Sequence, residues 1–362
     1  SLGPKEIFPM AKRLTEALPG SFPVFVKPNA GLPRADGSGY DITPQLYAMQ
    51  MKPYRELGLF AAGGCCGTTP EFIQLLNGVF ADCRPGRPDH PMKSVVCSPM
   101  DCVDVDGITV VGERINPTGK KRFQQALREG DMNYILEQAV SQSEAGAQVL
   151  DVNVGAPGVD EPAVMEQVVK ALQSVVSLPL QLDSSHADAL ERGLRVYNGK
   201  PIVNSADAGS RISNIDLAAA NDAICIALCS ADGIAKDNDE RMKHCHNMLE
   251  RGMSLGMDAT DLWFDPLFLV VKGMQDKQME VLEAIKMFAS EGLKSTGGLS
   301  NNSNGAPKTL RPIMDSALVA MAMMQGLTSA IVNPCDLRLM ETIKSCDIFK
   351  NHVLYSDSYL DL

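Results

Sequence analysis

Short apolar runs recur roughly every 30 residues over most of the chain, the spacing typical of strand–helix units. Each run ends near a Gly, Asp or Asn, and a helix-like stretch follows it. Eight such runs lie at 109–116, 149–153, 180–183, 202–205, 224–229, 262–266, 297–301 and 330–334. The alternation predicts an α/β fold, a (β/α)8 TIM barrel with an outer ring of helices. Such a barrel forms its site at the C-terminal ends of the strands.

Those predicted strand ends carry carboxylates and amides: Glu113, Asn116, Asp151, Asn153, Asp183, Asn204, Asp265 and Asn301. Taken singly, an Asp or Asn at such a position could equally cap the next helix or begin a turn. Convergence of the whole set on one face of a barrel favours a ligand site instead. Because this ring of strand-end side chains contains almost no Lys or His, it predicts a ligand that is a neutral heterocycle rich in hydrogen-bonding groups.

The N-terminal part of the chain repeats the pattern on a smaller scale. Residues 1–81 alternate helix-like stretches with only two apolar strands, at 24–26 and 59–62. Two parallel strands cannot close a barrel or hide their edges. We therefore expect 1–81 to be the end of a second, partial barrel, with a small capping subdomain as the alternative. Its exposed strands predict a covering partner or local disorder.

The segment 82–106 is rich in Pro, Arg and Asp and predicts a linker, so that 107–362 forms the complete barrel. The net charge of −11 and the pI near 5.0 argue against a nucleic-acid partner and against an anionic membrane surface. No apolar run is long enough to span a bilayer. The start of the chain does not resemble a signal peptide. Ten irregularly spaced cysteines indicate a reducing cytoplasm rather than a disulfide framework.

Two adjacent cysteines form the one candidate metal motif. Cys65 and Cys66 lie between glycines where the second strand ends, and those glycines permit a turn that directs both sulfurs to one ion. Soft thiolates suit Zn²⁺, which takes about four ligands. Neither Cys83 nor His90 makes a strong third ligand. The alternative is a pair of small residues at a tight turn.

At this motif the sequence resembles a known family. The segment Gly-Gly-Cys-Cys-Gly-Thr-Thr-Pro at 63–70, with Pro-Asn-Ala-Gly-Leu-Pro at 28–33, is similar to the end of the homocysteine S-methyltransferase domain of cobalamin-dependent methionine synthases. In that family the third zinc cysteine precedes a Leu-Gly-Pro segment, and this chain begins Ser-Leu-Gly-Pro. The resemblance implies that Cys65 and Cys66 bind zinc, with the third ligand outside this sequence. It implies homocysteine as a partner only if the first barrel is completed.

The barrel resembles the methyltetrahydrofolate-binding (pterin-binding) domain of the same family, and the methyltetrahydrofolate:corrinoid/iron–sulfur-protein methyltransferases. The resemblance rests on six segments, at 112–116, 151–155, 182–184, 203–205, 264–267 and 298–301. It implies that Asp183, Asn204 and Asp265 bind the pterin. It implies that Asn301 approaches the nitrogen that carries the methyl group. The remaining strand-end residues, Glu113, Asn116, Asp151 and Asn153, are expected as secondary contacts.

The chemistry of these residue types agrees with a pterin ligand. A carboxylate accepts from the ring N–H and the exocyclic amino group at once. The methyl group leaves a tertiary amine, so the nitrogen must gain positive character in the transition state. Asn301 is assigned to hydrogen bonding and positioning, with a proton arriving through water relayed near Asp265. Lys308 or Arg311 could meet the glutamate tail of folate, or remain a solvated loop charge.

The resemblance therefore implies an enzyme that transfers a methyl group from 5-methyltetrahydrofolate to cob(I)alamin or another corrinoid, within methionine synthesis from homocysteine. The corrinoid must be held by another domain or protein, because the chain has no Asp-x-His-x-x-Gly motif. Two alternatives remain. One is an enzyme similar to dihydropteroate synthase, which predicts a Lys and Arg cluster near the seventh strand. The other is a non-catalytic folate-binding fragment.

Overall fold

The computed structural model describes residues 2–20, 22–87, 92–231 and 233–355. The chain divides into two compact units, Ser1–Met92 and Lys93–Leu362, and the boundary falls inside the segment predicted as a linker. No helix in the described ranges is both long and apolar enough to cross a membrane.

Among its described residues, the first unit holds three α-helices and two very short strands, α1 (Pro4–Ala17), β1 (Phe25–Val26), α2 (Pro44–Met51), β2 (Ala61–Ala62) and α3 (Pro70–Phe80), with a 3₁₀ helix (Lys52–Leu57) directly after α2. The strands pair in parallel, with Phe25 opposite Ala61. The core is built from buried aromatic and apolar residues, among them Tyr47, Tyr54 and Phe72. Phe25 and Phe60 remain 65% and 64% exposed, so this small sheet has an uncovered apolar surface.

The second unit is an eight-stranded barrel, which confirms the predicted fold class. Its strands are β5 (Thr109–Ile115), β6 (Val149–Asn153), β7 (Leu180–Asp183), β8 (Ile202–Asp207), β9 (Ile224–Leu228), β10 (Leu262–Asp265), β11 (Lys294–Ser295) and β12 (Ser329–Val332). All neighbours are parallel, in the order β11-β10-β9-β8-β7-β6-β5-β12. A bridge between Gly298 and Ile331 joins the two ends of this sheet and nearly closes the barrel.

Helices follow the strands around the outside of the barrel: α4 (Lys121–Glu129), α5 (Met132–Glu144), α6 (Glu161–Gln173), α7 (Ala187–Leu194), α8 (Asn214–Ala220), α9 (Asn238–Ser254), the short α10 (Val271–Met274), α11 (Gln278–Ser290), α12 (Arg311–Gln325) and α13 (Leu337–Phe349). Side-chain caps begin several of them. For example, the Asp237 carboxylate accepts from the Glu240 N–H at the start of α9, a contact that satisfies a free helical donor.

The seventh strand is displaced from its predicted position. The sequence pattern placed it at 297–301, whereas β11 spans Lys294–Ser295 and Leu299–Asn301 form a 3₁₀ turn. The cause lies in the two glycines between them. A Cβ on Gly297 would come within 2.4 Å of the Phe268 ring, so the backbone passes closer to its neighbour than a side chain permits. Gly298 then leads directly into the turn that carries Asn301.

A hairpin closes the base of the barrel, within the segment predicted as a linker. Strands β3 (Val95–Cys97) and β4 (Cys102–Asp104) pair antiparallel. Val96 and Val105 pack with Trp263 and other inward residues of the barrel strands. The Trp263 Nε1–H donates to Ser94 Oγ over 2.7 Å. The hairpin therefore fills the N-terminal end of the barrel and leaves the opposite end open for a site.

Candidate functional site

Alternation along the barrel strands separates an apolar base from a polar rim. Successive residues of a strand point to opposite faces, so Val149 and Asp151 of β6 both face inward. On β10 the same spacing places Trp263 below Asp265. Val149 and Trp263 belong to the buried cluster at the base. The carboxylates two positions later lie at the C-terminal strand ends, where the sequence analysis expected a site.

Strand register brings the central polar residues to one level. Asn153 is paired with Asp183, and Asp183 with Asn204. The Asn153 Nδ2–H donates to Asp183 Oδ2 over 3.0 Å. One layer below, Asp151 Oδ1 accepts from Gln181 Nε2 at 2.6 Å and from Asn204 Nδ2 at 3.4 Å. These contacts fix each side chain before any ligand arrives.

These residues surround an open cavity of about 600 Å³ at the C-terminal end of the barrel. Of the nine barrel residues predicted for the site, eight line it: Glu113, Asn116, Asp151, Asp183, Asn204, Asp265, Asn301 and Arg311. The ninth, Asn153, supports Asp183 from beside it. The volume suits a ligand the size of a bicyclic heterocycle with substituents.

Asp265 is half-buried at the end of β10 and lines the cavity. Its Oδ1 accepts from the Leu267 N–H over 2.7 Å. Burial raises the pKa of Asp265 to about 7, and this hydrogen bond only partly offsets the shift. Near neutral pH the group therefore interconverts between a proton donor and a carboxylate acceptor.

The pKa values of two neighbouring carboxyls, Asp151 and Asp183, are also raised. Burial raises the pKa of Asp183 to about 6, opposed by its hydrogen bond from Asn153. The pKa of Asp151 lies well above its ordinary range, because of burial and then the charge of Asp183. Two neighbouring carboxyls with little access to solvent resist double ionisation. A ligand with N–H donors would favour the ionised form of the carboxyl that it contacts.

Basic residues also line the cavity, and one of them is a lysine, although the strand ends themselves carry almost no Lys or His. Lys120 donates to the backbone oxygens of Glu113 and Arg114 over 3.1 and 3.3 Å. Burial lowers the pKa of Lys120. The Glu113 carboxylate accepts from Ser300 Oγ over 2.5 Å, and burial raises its pKa. Sequence reasoning missed Lys120, which lies after the strand, in the loop that leads to α4.

Arg211 is a second missed residue. The strand β8 continues to Asp207, whose carboxylate accepts from Arg211 Nε over 2.7 Å and from the Arg211 backbone N–H over 2.9 Å. This ion pair holds the guanidinium at the cavity wall, beside Ser205 Oγ at 3.5 Å. The spacing of four residues between an acid and an arginine was the available signal, because it permits a local pair in a tight turn.

The loop after β11 places Asn301 and Arg311 at the mouth. The Asn301 side chain is exposed to the cavity and folds over Gly298, where an added Cβ would lie 2.9 Å from its Nδ2. Arg311 is held by Ser303 Oγ, the Ser300 carbonyl and Asn304 Oδ1 at 3.1, 3.3 and 3.4 Å. Lys308 lies outside this cavity and lines the adjacent one.

In the first unit, hydrogen bonds hold the turn that carries the two adjacent cysteines, Cys65 and Cys66. Both are exposed, and their sulfurs lie 4.0 Å apart. The Asn29 side chain accepts from the Cys66 N–H, and Thr68 Oγ1 donates to the Cys65 carbonyl. Two Zn–S bonds of about 2.3 Å at a tetrahedral angle put sulfurs at nearly this separation. Among the described residues, no third ligand completes a metal-binding cluster.

The raised pKa values predict a specific pH dependence of stability. The folded chain keeps a proton on Asp265 up to a pH of about 7, whereas an unfolded chain loses it near 3.8. The free energy of unfolding should therefore fall as pH rises between these values. We expect Asp265→Asn to remove this slope and stabilise the empty protein at about pH 8 by a few kcal/mol.

Urea unfolding at about pH 5 and pH 8, followed by circular dichroism, measures this difference. The exposed Asp239 on α9 offers the control, since Asp239→Asn removes an equal charge far from any enclosure. An Asp265→Asn protein with the wild-type slope would contradict the assignment.

Two family models match this chain. Residues 112–333 match the family model described as pterin binding enzyme. Residues 1–80 match the model described as homocysteine S-methyltransferase. The chain is 29% identical over 357 residues to a methionine synthase of Mycobacterium leprae, covering 91% of this chain and 29% of that protein. For a methionine synthase of Mycobacterium tuberculosis, identity is 29% over 364 residues, with 94% and 30% covered.

The chain thus spans about 30% of the length of these curated relatives. Solved structures similar to the barrel include dihydropteroate synthases. The enzyme of Xanthomonas albilineans with 4-aminobenzoic acid has a TM-score of 0.58 at 15% identity, covering 73% of this chain and all of that one. The enzyme of Yersinia pestis has a TM-score of 0.53 at 17% identity, covering 72% and 99%. At such identities the likeness concerns the fold alone.

Proposed function

This chain belongs to the family of pterin-binding enzymes, and we propose that it is a methyltransferase that takes the methyl group of 5-methyltetrahydrofolate and passes it to a reduced corrinoid. The observation that carries the proposal is the set of carboxylates and amides around one cavity, at the C-terminal ends of the strands β5, β6, β7, β8 and β10 and in the turn after β11. The similarity to methionine synthases supports a place in methionine synthesis from homocysteine.

In this proposal Asp183, Asn204 and Asp265 bind the pterin ring. A pterin presents an amide N–H beside an exocyclic amino group, and a carboxylate accepts from both. Asp183 is suited to this contact, because only its Oδ2 is engaged by Asn153. Donors from the ligand would replace the lost solvation of this half-buried carboxylate, so that binding would favour its ionised form. Asn204 offers both a donor and an acceptor to the ring.

The methyl transfer itself is a displacement at carbon. The bond from the ring nitrogen N5 to the methyl group breaks, and the acceptor cobalt(I) supplies both electrons of the new bond to that carbon. N5 keeps the electron pair of the broken bond and gains a proton. The protein has to hold N5 in line with the acceptor and favour its positive character. Asn301, exposed at the mouth, is proposed to donate a hydrogen bond toward N5.

Asp265 is proposed as the source of the proton, relayed by water. Its pKa of about 7 means that it carries a proton in much of the protein population near neutral pH. A group with such a pKa gives up a proton readily in a transition state. Asp151 and Asn153 act as supports, because they hydrogen-bond to the ring-binding side chains Asn204 and Asp183. Glu113 and Asn116 line the cavity as secondary contacts.

The cation at the mouth fits the tail of the substrate. Folates carry an anionic glutamate, and Arg311 presents a guanidinium fixed by three oxygens at the rim of the cavity. The corrinoid is the acceptor substrate in this proposal, and another domain or protein delivers it to the open mouth.

For the first unit, we propose that Cys65 and Cys66 hold two positions of a zinc ion that would bind homocysteine as a thiolate. The 4.0 Å separation of their sulfurs supports this assignment. Cobalt(II) substitution tests it: the thiolate charge-transfer absorption should appear in the wild type and in Cys83→Ser, and be lost in Cys65→Ser. A Cys65→Ser protein with the full absorption would exclude this pair.

The function is tested by mixing the chain with 5-methyltetrahydrofolate and free cob(I)alamin and following the corrinoid spectrum. We expect methylcobalamin to accumulate in step with tetrahydrofolate. Tight pterin binding without turnover would favour the non-catalytic folate-binding alternative, and an absence of binding would overturn the pterin assignment itself. The dihydropteroate synthase alternative predicts a Lys and Arg cluster near the seventh strand, but the lysine of that strand, Lys294, donates to the Val105 carbonyl at the base of the barrel.

A further inference from the structure

The hairpin at the base of the barrel places two cysteines directly across from each other. Cys97 is the partner of Cys102 in the antiparallel register. Backbone hydrogen bonds from Ser98 to Asp101 and from Val105 to Ser94 mark hydrogen-bonded pairs on either side. Because such pairs alternate along an antiparallel ladder, Cys97 and Cys102 form a non-hydrogen-bonded pair.

This type of pair has the right backbone separation for a covalent link. Its Cα atoms lie about 4.5 Å apart, within the range of roughly 4.4–6.8 Å that disulfides span. The side chains agree, since the two Sγ atoms lie 3.0 Å apart, although both thiols are free. We propose that Cys97 and Cys102 are a redox modification site that closes reversibly into a cross-strand disulfide when a low-molecular-weight disulfide is present.

The exchange proceeds in two balanced steps. The exposed Cys102 thiolate attacks one sulfur of the small disulfide, whose S–S bond breaks and releases one small thiolate. The Cys97 sulfur then attacks the Cys102 sulfur and expels the second small thiolate. The protein loses two S–H hydrogens and gains one S–S bond. The small disulfide gains both electrons and both protons and leaves as two thiols.

The order of attack follows from the surroundings of the two thiols. Burial raises the pKa of Cys97 to about 12, and the hydrogen bond and charge of Cys102 add to that shift. Cys97 is therefore a poor first nucleophile. Once Cys102 is part of a mixed disulfide, its contribution disappears and the Cys97 thiolate forms more readily. The second sulfur already lies in contact, so this step needs no rearrangement of the backbone.

The proposed disulfide would cross-link the two strands of the hairpin that closes the base of the barrel. The Cys97 carbonyl accepts from Lys200 N–H and from the Tyr197 hydroxyl, at 3.0 and 2.8 Å. Ser98 Oγ donates to the Ser177 carbonyl over 2.5 Å. Both strands are thus tied to one another and to the loops beneath the barrel. Oxidation should raise the thermal unfolding midpoint and leave pterin binding at the other end unchanged.

The test uses the full chain and an excess of oxidised glutathione, followed by iodoacetamide and trypsin. No Lys or Arg lies between Lys93 and Arg114, so both cysteines fall in the peptide 94–114. We expect this peptide without alkylation and lighter by two hydrogen atoms, and dithiothreitol should restore both alkylation sites. Cleavage before Asp101 separates the two cysteines, and the products should stay linked until reduction.

Cys335→Ser serves as the matched control, because Cys335 is another exposed thiol outside the hairpin. That variant should form the same disulfide and show the same rise in thermal midpoint. Cys97→Ser should stop at a mixed disulfide on Cys102 and show no rise. Alkylation of both cysteines in the treated wild type, or glutathione on each of them, would overturn the proposal whatever the folding of the variants.

Discussion

Replacing Asp183 by Asn is expected to weaken the binding of 5-methyltetrahydrofolate about 100-fold at neutral pH, the loss typical of a hydrogen-bonded charge. The substitution keeps the shape of the side chain. It exchanges an oxygen that accepts for a nitrogen that donates, and this donor would face the N–H groups of the pterin. Asp183 lies half-buried at the cavity wall, so bulk solvent screens the mismatch only in part.

The same substitution should not destabilise the empty protein. Burial raises the pKa of Asp183 to about 6, so the ionised side chain destabilises the folded protein at neutral pH. A neutral Asn removes this destabilisation, and its Oδ1 can still accept a hydrogen bond from Asn153. Titration calorimetry with the pterin and urea unfolding of the free chain separate the two effects. Asp188→Asn, on the exposed side of α7, is the control. Equal pterin affinities of the Asp183→Asn and Asp188→Asn proteins would show that Asp183 does not bind the pterin.

The second large effect concerns the rate and not the affinity. Asn301→Ala is expected to slow methyl transfer to cob(I)alamin by about 100-fold to 1000-fold, as when a donor that acts in the transition state is deleted. The amide lies at the mouth, exposed, and does not contribute to the core. Its loss should therefore leave folding intact and change the dissociation constant of the pterin by less than about threefold.

Single-turnover absorbance measurements with saturating pterin give the rate, and equilibrium binding gives the affinity. Asn247→Ala makes the same change on an exposed face of α9, and it should behave as the wild type. A variant at 301 that loses affinity and rate in equal proportion would show a role in binding the ground state, and the proposed hydrogen bond to N5 would then be wrong.

Much of the fold follows from local patterns in the chain. A β6 strand that reads Val-Leu-Asp-Val-Asn already places Asp151 and Asn153 inward and Leu150 and Val152 toward the helices, because strand faces alternate. The same rule at Leu-Trp-Phe-Asp fixes Asp265 above Trp263. Such residues could be assigned to the rim before any coordinates, since each one depends only on its own strand.

Other features depend on contacts between distant segments, and the sequence could not reveal them. The seventh strand ended earlier than predicted, because the approach of Gly297 to the Phe268 ring is a tertiary constraint. Lys120 enters the cavity from a loop, where no periodicity predicts its direction. The hairpin strands are three residues each, too short for an alternating pattern to stand out beside Pro and Asp.

The base of the barrel also gives the molecule a built-in optical reporter. The chain has a single tryptophan, Trp263, which is fully buried and donates its indole N–H to Ser94 of the segment that enters the hairpin. Indole emission depends on the polarity around the ring. Because the single tryptophan lies in the second unit, its fluorescence reports on the folding of that unit alone. Loosening of the hairpin or melting of the barrel should therefore shift the wavelength of the tryptophan emission, to which the first unit, with tyrosines but no tryptophan, does not contribute.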